Sequence, residues 1–205
     1  MRAKMAIVFS AAAAMSWIAS PVQAQDAEAA RVAGQVCASC HGRAGESISP
    51  AFPKIGAQSA EYLETQLRAF RDRTRADPMA QAYMWGMTSQ LSDGMIKQLA
   101  AFYSGQKPPR GKAAAPKLAA AGKTIYEGGI PAAKVQACAG CHGAEAAGNG
   151  AFPRLAGQHS EYLVKQLVLF KSSMREGGNA AIMHNVSTGM SFDQMEAVAA
   201  YLASR

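Results

Sequence analysis

The sequence predicts an all-α chain in which one helical unit is written twice. Two observations carry that prediction. Apolar side chains recur at the helix period in the longer segments, and no stretch shows the convincing alternation of a half-buried strand. An internal repeat also runs through the chain at an offset between 99 and 101 residues. Ala51-Phe52-Pro53-Lys54-Ile55 returns as Ala151-Phe152-Pro153-Arg154-Leu155, and Glu61-Tyr62-Leu63 with Gln66-Leu67 and Phe70 returns as Glu161-Tyr162-Leu163 with Gln166-Leu167 and Phe170. Leu99 to Tyr103 answers to Val198 to Leu202. Two copies of a compact unit mean two domains, since a solenoid needs three or more repeats.

Each copy opens on the same chemistry. Cys37-Ala38-Ser39-Cys40-His41 and Cys138-Ala139-Gly140-Cys141-His142 hold all four cysteines of the protein and two of its four histidines. C-x-x-C-H is the attachment pattern of a c-type haem: two thiols add across the vinyl groups, and the adjacent histidine lies under the ring as proximal ligand. A shared zinc site would want tighter spacing between the two pairs, and a thioredoxin-like pair would want a βαβ setting. Two disulfides would leave His41 and His142 unexplained. The expected cofactors are therefore two covalently attached haem c groups.

Arg2 and Lys4 precede an apolar run from Met5 to Ile18, and Val22-Gln23-Ala24 satisfies the small-residue cleavage rule. The run is short for a bilayer span. Residues 1–24 therefore read as a cleaved signal peptide, the mature chain starts near Gln25, and the protein is exported to the periplasm, where haem c is attached. The formal charge of +7 loses two with the signal. Residues 25–106 carry eight basic and eight acidic side chains, and residues 118–205 carry seven and six. The rest of the excess, Lys107, Arg110, Lys112 and Lys117, sits in the connection, so neither unit presents the basic face that nucleic-acid binding needs.

In chain order, Ala30 or Gly34 marks the less well-defined opening helix of the first unit (25–106). Tyr62, Leu63, Gln66, Leu67 and Phe70 follow at helical spacing, with Tyr62, Leu67 and Phe70 read as core. Ser92 starts a terminal helix through Ile96, Leu99 and Phe102 that ends at Gly105. Lys107 to Lys117 is a polar linker stiffened by Pro108-Pro109. The second unit (118–205) opens with Gly122 and Tyr126, the glycine allowing close approach of another helix. It closes with Ser191 and Gln194 in capping-box order, then Val198, Tyr201 and Leu202 facing inward.

A histidine-ligated haem needs a distal partner, and methionine gives a closed, high-potential iron suited to electron transfer. Met84 stands seven residues before Leu91, and Met183 seven before its counterpart Met190. That common position makes them the candidates, while Met79, Met87, Met95, Met174, Met190 and Met195 read as core filler. His184 follows Met183 directly and could also ligate; its counterpart is Trp85, which cannot.

The order C-x-x-C-H-G, F-P-x-[IL]-x-x-Q, E-Y-L-x-x-Q-L, loop methionine and closing helix, all of it twice, resembles the dihaem cytochrome c4 proteins over essentially the whole mature chain. The resemblance implies two class I cytochrome c domains. It implies His41 and Met84 on one iron, His142 and Met183 on the other, and hydrogen bonds from the proximal rings to the carbonyls of Pro53 and Pro153. Family members are periplasmic, often membrane-associated electron carriers between a quinol-oxidising bc complex and haem-copper oxidases. The expectation is thus a monomeric electron-transfer protein with redox-protein partners, not an enzyme. The alternatives are a cytochrome subunit of a larger oxidoreductase, such as a flavocytochrome sulfide dehydrogenase, and a dihaem enzyme with an open iron. Two departures from the family bear on the packing of the first unit: Gly56-Ala57 reverses the order kept at Ala156-Gly157, and its opening helix lacks the family glycine.

Overall fold

The computed structural model describes residues 21–177 and 179–205, with side chains from residue 26 onward. It is helical, and among the described residues no strand forms beyond isolated bridges at Ile130–Val135 and Asn149–Phe152. Most of the signal peptide lies outside the described residues. No helix described is long and apolar enough to cross a membrane.

The first unit begins with α1 (Pro21–Val32), which passes through a π-helical turn, Ala33–Cys37, straight into α2 (Ala38–His41). Helix α3 (Ala60–Arg71) follows, then a second π-helical turn (Ala80–Met84) leading into α4 (Trp85–Thr88), then α5 (Asp93–Ser104). The opening helix is well formed, contrary to expectation. Its inward face is Ala29 and Ala33, both buried against α5, whereas Ala30 and Gly34 are exposed. The second unit has α6 (Pro116–Gly128), α7 (Ala139–His142), α8 (Ser160–Lys171), α9 (Ala180–Thr188) and α10 (Phe192–Ala203). Here a loop separates the opening helix from the Cys-His segment, folded back by the Ile130–Val135 bridge.

Local chemistry explains the helix ends. The hydroxyls of Ser59, Ser92 and Ser191 accept the amides of Tyr62, Met95 and Gln194, each satisfying one of the four free N–H groups of a first turn. Gln194 returns the bond to the Ser191 amide and completes the capping box. Arg68 and Arg71 in the last turn of α3 suit its negative end, and both reach Asp93 in the first turn of α5. Opening and closing helices pack closely in the second unit. Tyr126 is fully buried against Tyr201, with ring centroids 5.5 Å apart, and its hydroxyl donates to the Gly143 carbonyl at 2.6 Å. In the first unit Ile96, Leu99, Ala100 and Tyr103 face the core and Phe102 packs at its margin. Met190 and Met195 are core, but Met87 and Met174 are half exposed and so are not filler.

The linker is not a free tether. Pro109 is buried, its carbonyl lies where a β-carbon on Gly157 would come within 2.5 Å, and the Lys112 amide donates to Ala203 at 2.7 Å. The Gly-Ala reversal also has a structural reason. Positions 57 and 157 both need a left-handed backbone, with φ of 54° and 76°. Gly157 adopts it freely; Ala57 does so against its β-carbon. At position 56 a β-carbon would stand 2.5 Å from the Ala44 carbonyl, so the glycine is needed there for room. Ala57→Gly is therefore expected to stabilise the first unit by about 0.5–1 kcal/mol, the relieved strain exceeding the added chain entropy. Denaturant unfolding checks this, and an unchanged or lowered midpoint would contradict it.

Candidate functional site

The two Cys-His segments flank one continuous cavity lined from both units. Cys37, Cys40, Cys138 and Cys141 all face it, and none is in a disulfide. His41 and His142 are buried on its walls. Their Nδ1 atoms donate to the carbonyls of Pro53 at 2.8 Å and Pro153 at 2.9 Å. Burial lowers both imidazole pKa values, more than those bonds raise them, so each ring is neutral with its Nε2 lone pair free. Phe52 and Phe152 hold the two rings edge-on.

Met84 and Met183 line the same cavity. Ala80 and Ala180 are equivalent buried positions, yet four residues lead from Ala80 to Met84 and three from Ala180 to Met183. The π-helical turn Ala80–Met84 takes up the extra residue, so both thioethers reach the cavity despite the insertion. His184 does not line it. Its Nδ1 donates to the Phe170 carbonyl at 2.8 Å and lies 3.1 Å from Ser173 Oγ, which holds the ring against the end of α8.

Between the two halves lies a polar seam that sequence reasoning missed. Arg75 and Arg175 are buried, each stacked on its own unit's phenylalanine, Phe70 or Phe170, at 4.6 and 4.5 Å. Gln66 Oε1 accepts from Arg75 at 2.6 Å and from Arg175 at 3.1 Å. Gln166 Oε1 accepts from Arg175 at 2.5 Å and from Arg75 at 3.3 Å. The Tyr62 hydroxyl accepts from Arg175 at 2.9 Å, so Tyr62 serves the seam and not the core of its own unit. Gln58 and Gln158 reach across reciprocally. Gln58 bonds both main-chain groups of Arg154, at 2.7 and 3.0 Å, and Gln158 those of Lys54, at 2.9 and 2.8 Å. The recurrence of Arg75 as Arg175 at an offset of 100 was the available signal.

The chain matches the cytochrome c family twice, over residues 27–105 and 119–205. It is 37% identical to the cytochrome c4 of Azotobacter vinelandii over 187 residues, covering 87% of this chain and 89% of that one. The chain is a dihaem cytochrome c4. The solved cytochrome c4 of Acidithiobacillus ferrooxidans superposes with a TM-score of 0.77 at 36% identity, covering 82% of this chain and 98% of that structure. A protein of Thiomonas intermedia named thiosulfate dehydrogenase electron acceptor is 36% identical over 203 residues, covering 95% of this chain and 85% of its own. As in other c4 cytochromes, the two Cys-x-x-Cys-His motifs carry two covalent haem c groups.

The c4 site is chemically suited to them. The cavity wall offers unpaired thiols, free imidazole nitrogens and apolar side chains such as Leu63, Leu67, Leu99 and Val198. Arg154 lines it with a buried Nε that has no partner among the described residues, and burial lowers that guanidinium's pKa. A buried cationic N–H of this kind calls for an acceptor, which a haem propionate would supply.

Proposed function

We propose that this c4 cytochrome is a periplasmic electron carrier in which Cys37 and Cys40, and Cys138 and Cys141, form the thioethers. His41 with Met84, and His142 with Met183, are the axial iron ligands. The observation that carries this reading is the matched placement of an oriented histidine and a methionine on the walls of one cavity, once in each unit. When bound, each haem supplies a one-electron iron couple. The chain does the rest. Pro53 and Pro153 fix the imidazole tautomer and raise its basicity. Met84 and Met183 close the distal side, which favours a high potential and leaves no position for oxygen. Gln58 and Gln158 clamp the halves together, each such bond contributing about 1 kcal/mol, so that the two sites keep a fixed separation.

The donor is read as a quinol-oxidising bc complex and the acceptor as a terminal oxidase, with the boundary between domains at residues 107–117. A signal peptide over residues 1–24 takes the monomeric chain to the periplasm, with peripheral association at the membrane. A second reading, supported by the Thiomonas intermedia relative, makes it the acceptor or subunit of a dehydrogenase. Two measurements test the proposal. The intact mass of native protein is expected to equal residues 25–205 plus two haems. Reduced protein added to membranes of its source is expected to be oxidised with oxygen consumption. A single haem would end the ligand assignment; no oxidation, with a dehydrogenase co-purifying in stoichiometric amount, would favour the second reading.

A further inference from the structure

The two units are near copies, but the charge lining their shares of the cavity is not. Lys54, Arg75 and Asp77 line it from the first unit; Arg154, Lys165 and Arg175 line it from the second. At an offset of 100, Lys54 answers to Arg154 and Arg75 to Arg175, so these pairs are balanced. The other two are not: Asp77 is replaced by Gly177, and Thr65 by Lys165. Each change makes the second half more positive.

Asp77 is the more consequential because it is wholly buried. Its Oδ2 accepts from Arg75 Nε at 2.8 Å, and its Oδ1 accepts from the Ala80 amide at 3.2 Å. It thus caps the helical segment that begins with Pro78 and carries Met84. Burial raises its pKa, but the Arg75 charge and these hydrogen bonds outweigh that and hold the carboxyl below the usual range, so it is ionised at neutral pH. Arg175 feels the same carboxylate only through space, and among the described residues it donates to no carboxylate. Its hydrogen-bond partners, Gln166, Gln66 and Tyr62, bring no formal charge. Asn179, at the N-cap of α9, makes no capping bond with its side chain either. One guanidinium of the seam is therefore bonded directly to a carboxylate and the other is not.

We propose that Asp77 is a tuning residue that lowers the potential of the first site relative to what the same fold would give without its carboxylate. This rests on the two-haem, His/Met reading above. A carboxylate beside a redox centre favours its more positive, oxidised form, and an uncompensated cation favours the reduced form. Transfer from the first iron to the second moves one electron and consumes nothing else.

The test is a redox titration in which the axial-methionine NMR signals report each haem separately. Asp77→Asn keeps an oxygen that can cap Ala80 and removes the charge. It is expected to raise the first-site potential so that the distribution of one electron between the sites changes about tenfold, or about 59 mV for a one-electron couple. The second site should move much less. Lys165→Thr alters an exposed side chain and offers little risk to folding. It is expected to lower the second-site potential two- to threefold in the same ratio, an effect that fades at high salt. Equal shifts at both sites or no shift would overturn the assignment, and so would an unchanged gap in Lys165→Thr if Asp77→Asn fails to take up haem. Two haems and two methionine signals in the parent protein secure the underlying reading separately.

Discussion

Replacing Met183 by alanine is expected to abolish the far-red methionine–Fe(III) absorption of one haem of the two and to leave the other band intact. The potential of that site should fall by more than a tenfold change in equilibrium constant, about 59 mV. His184→Ala should leave both bands and both potentials nearly as they were. The reason is geometric. Met183 lines the cavity, whereas the Nδ1 of His184 is engaged by the Phe170 carbonyl on the α8 side. Adjacent residues of a helix point about 100° apart, so the turn that aims one at the cavity aims the other away. If His184→Ala removed the band and Met183→Ala did not, the ligand would be His184 and the second site a bis-histidine centre.

Gly122→Ala is expected to destabilise the second unit by about 2 kcal/mol, while the first keeps its haem spectrum. A β-carbon at position 122 would lie 1.9 Å from the Ala197 carbonyl oxygen and 2.9 Å from Tyr201 Cβ. The first of these atoms is backbone within α10, so it yields only if the helices separate. Overpacking of that kind costs up to about 3 kcal/mol, against which alanine regains about 1 kcal/mol of helix propensity. In a domain of this size the net loss corresponds to a fall of roughly 10 °C in melting temperature. Thermal unfolding followed at the methionine band would show it; a variant as stable as its parent would mean that α6 and α10 do not cross this closely. The first unit uses Ala29 and Ala33 at its corresponding contact, where the helices leave room for a methyl group.

These outcomes separate what is written locally in the chain from what is not. The two Cys-x-x-Cys-His motifs, the helical class, the caps at Ser92 and Ser191, the glycine of α6 and the candidate methionines were legible because each is a pattern among residues within a few turns of one another. Helix period, capping and haem attachment are near-neighbour chemistry, and the repeat printed each signal twice. The less regular opening of the first unit misled for the same reason: alanines at positions 29 and 33 carry a weaker packing signal than a glycine and tyrosine do.

The tertiary structure decided everything that depends on setting one unit against the other. Tyr62 looks like a core residue on its own helix, and only the approach of Arg175 makes it part of the seam. Gln58 and Gln158 bond backbone about a hundred residues away, and nothing near them in sequence announces it. Asp77 sits in an unremarkable polar stretch until the fold buries it beside Arg75. By itself the sequence determined that this chain folds as two helical units, each with the residues to hold a haem, because those requirements are local. How the two cavities join, which arginine is bonded to a carboxylate and how an inserted residue is absorbed before Met84 were decided by packing, since buried charge and backbone register take their meaning only from what stands opposite.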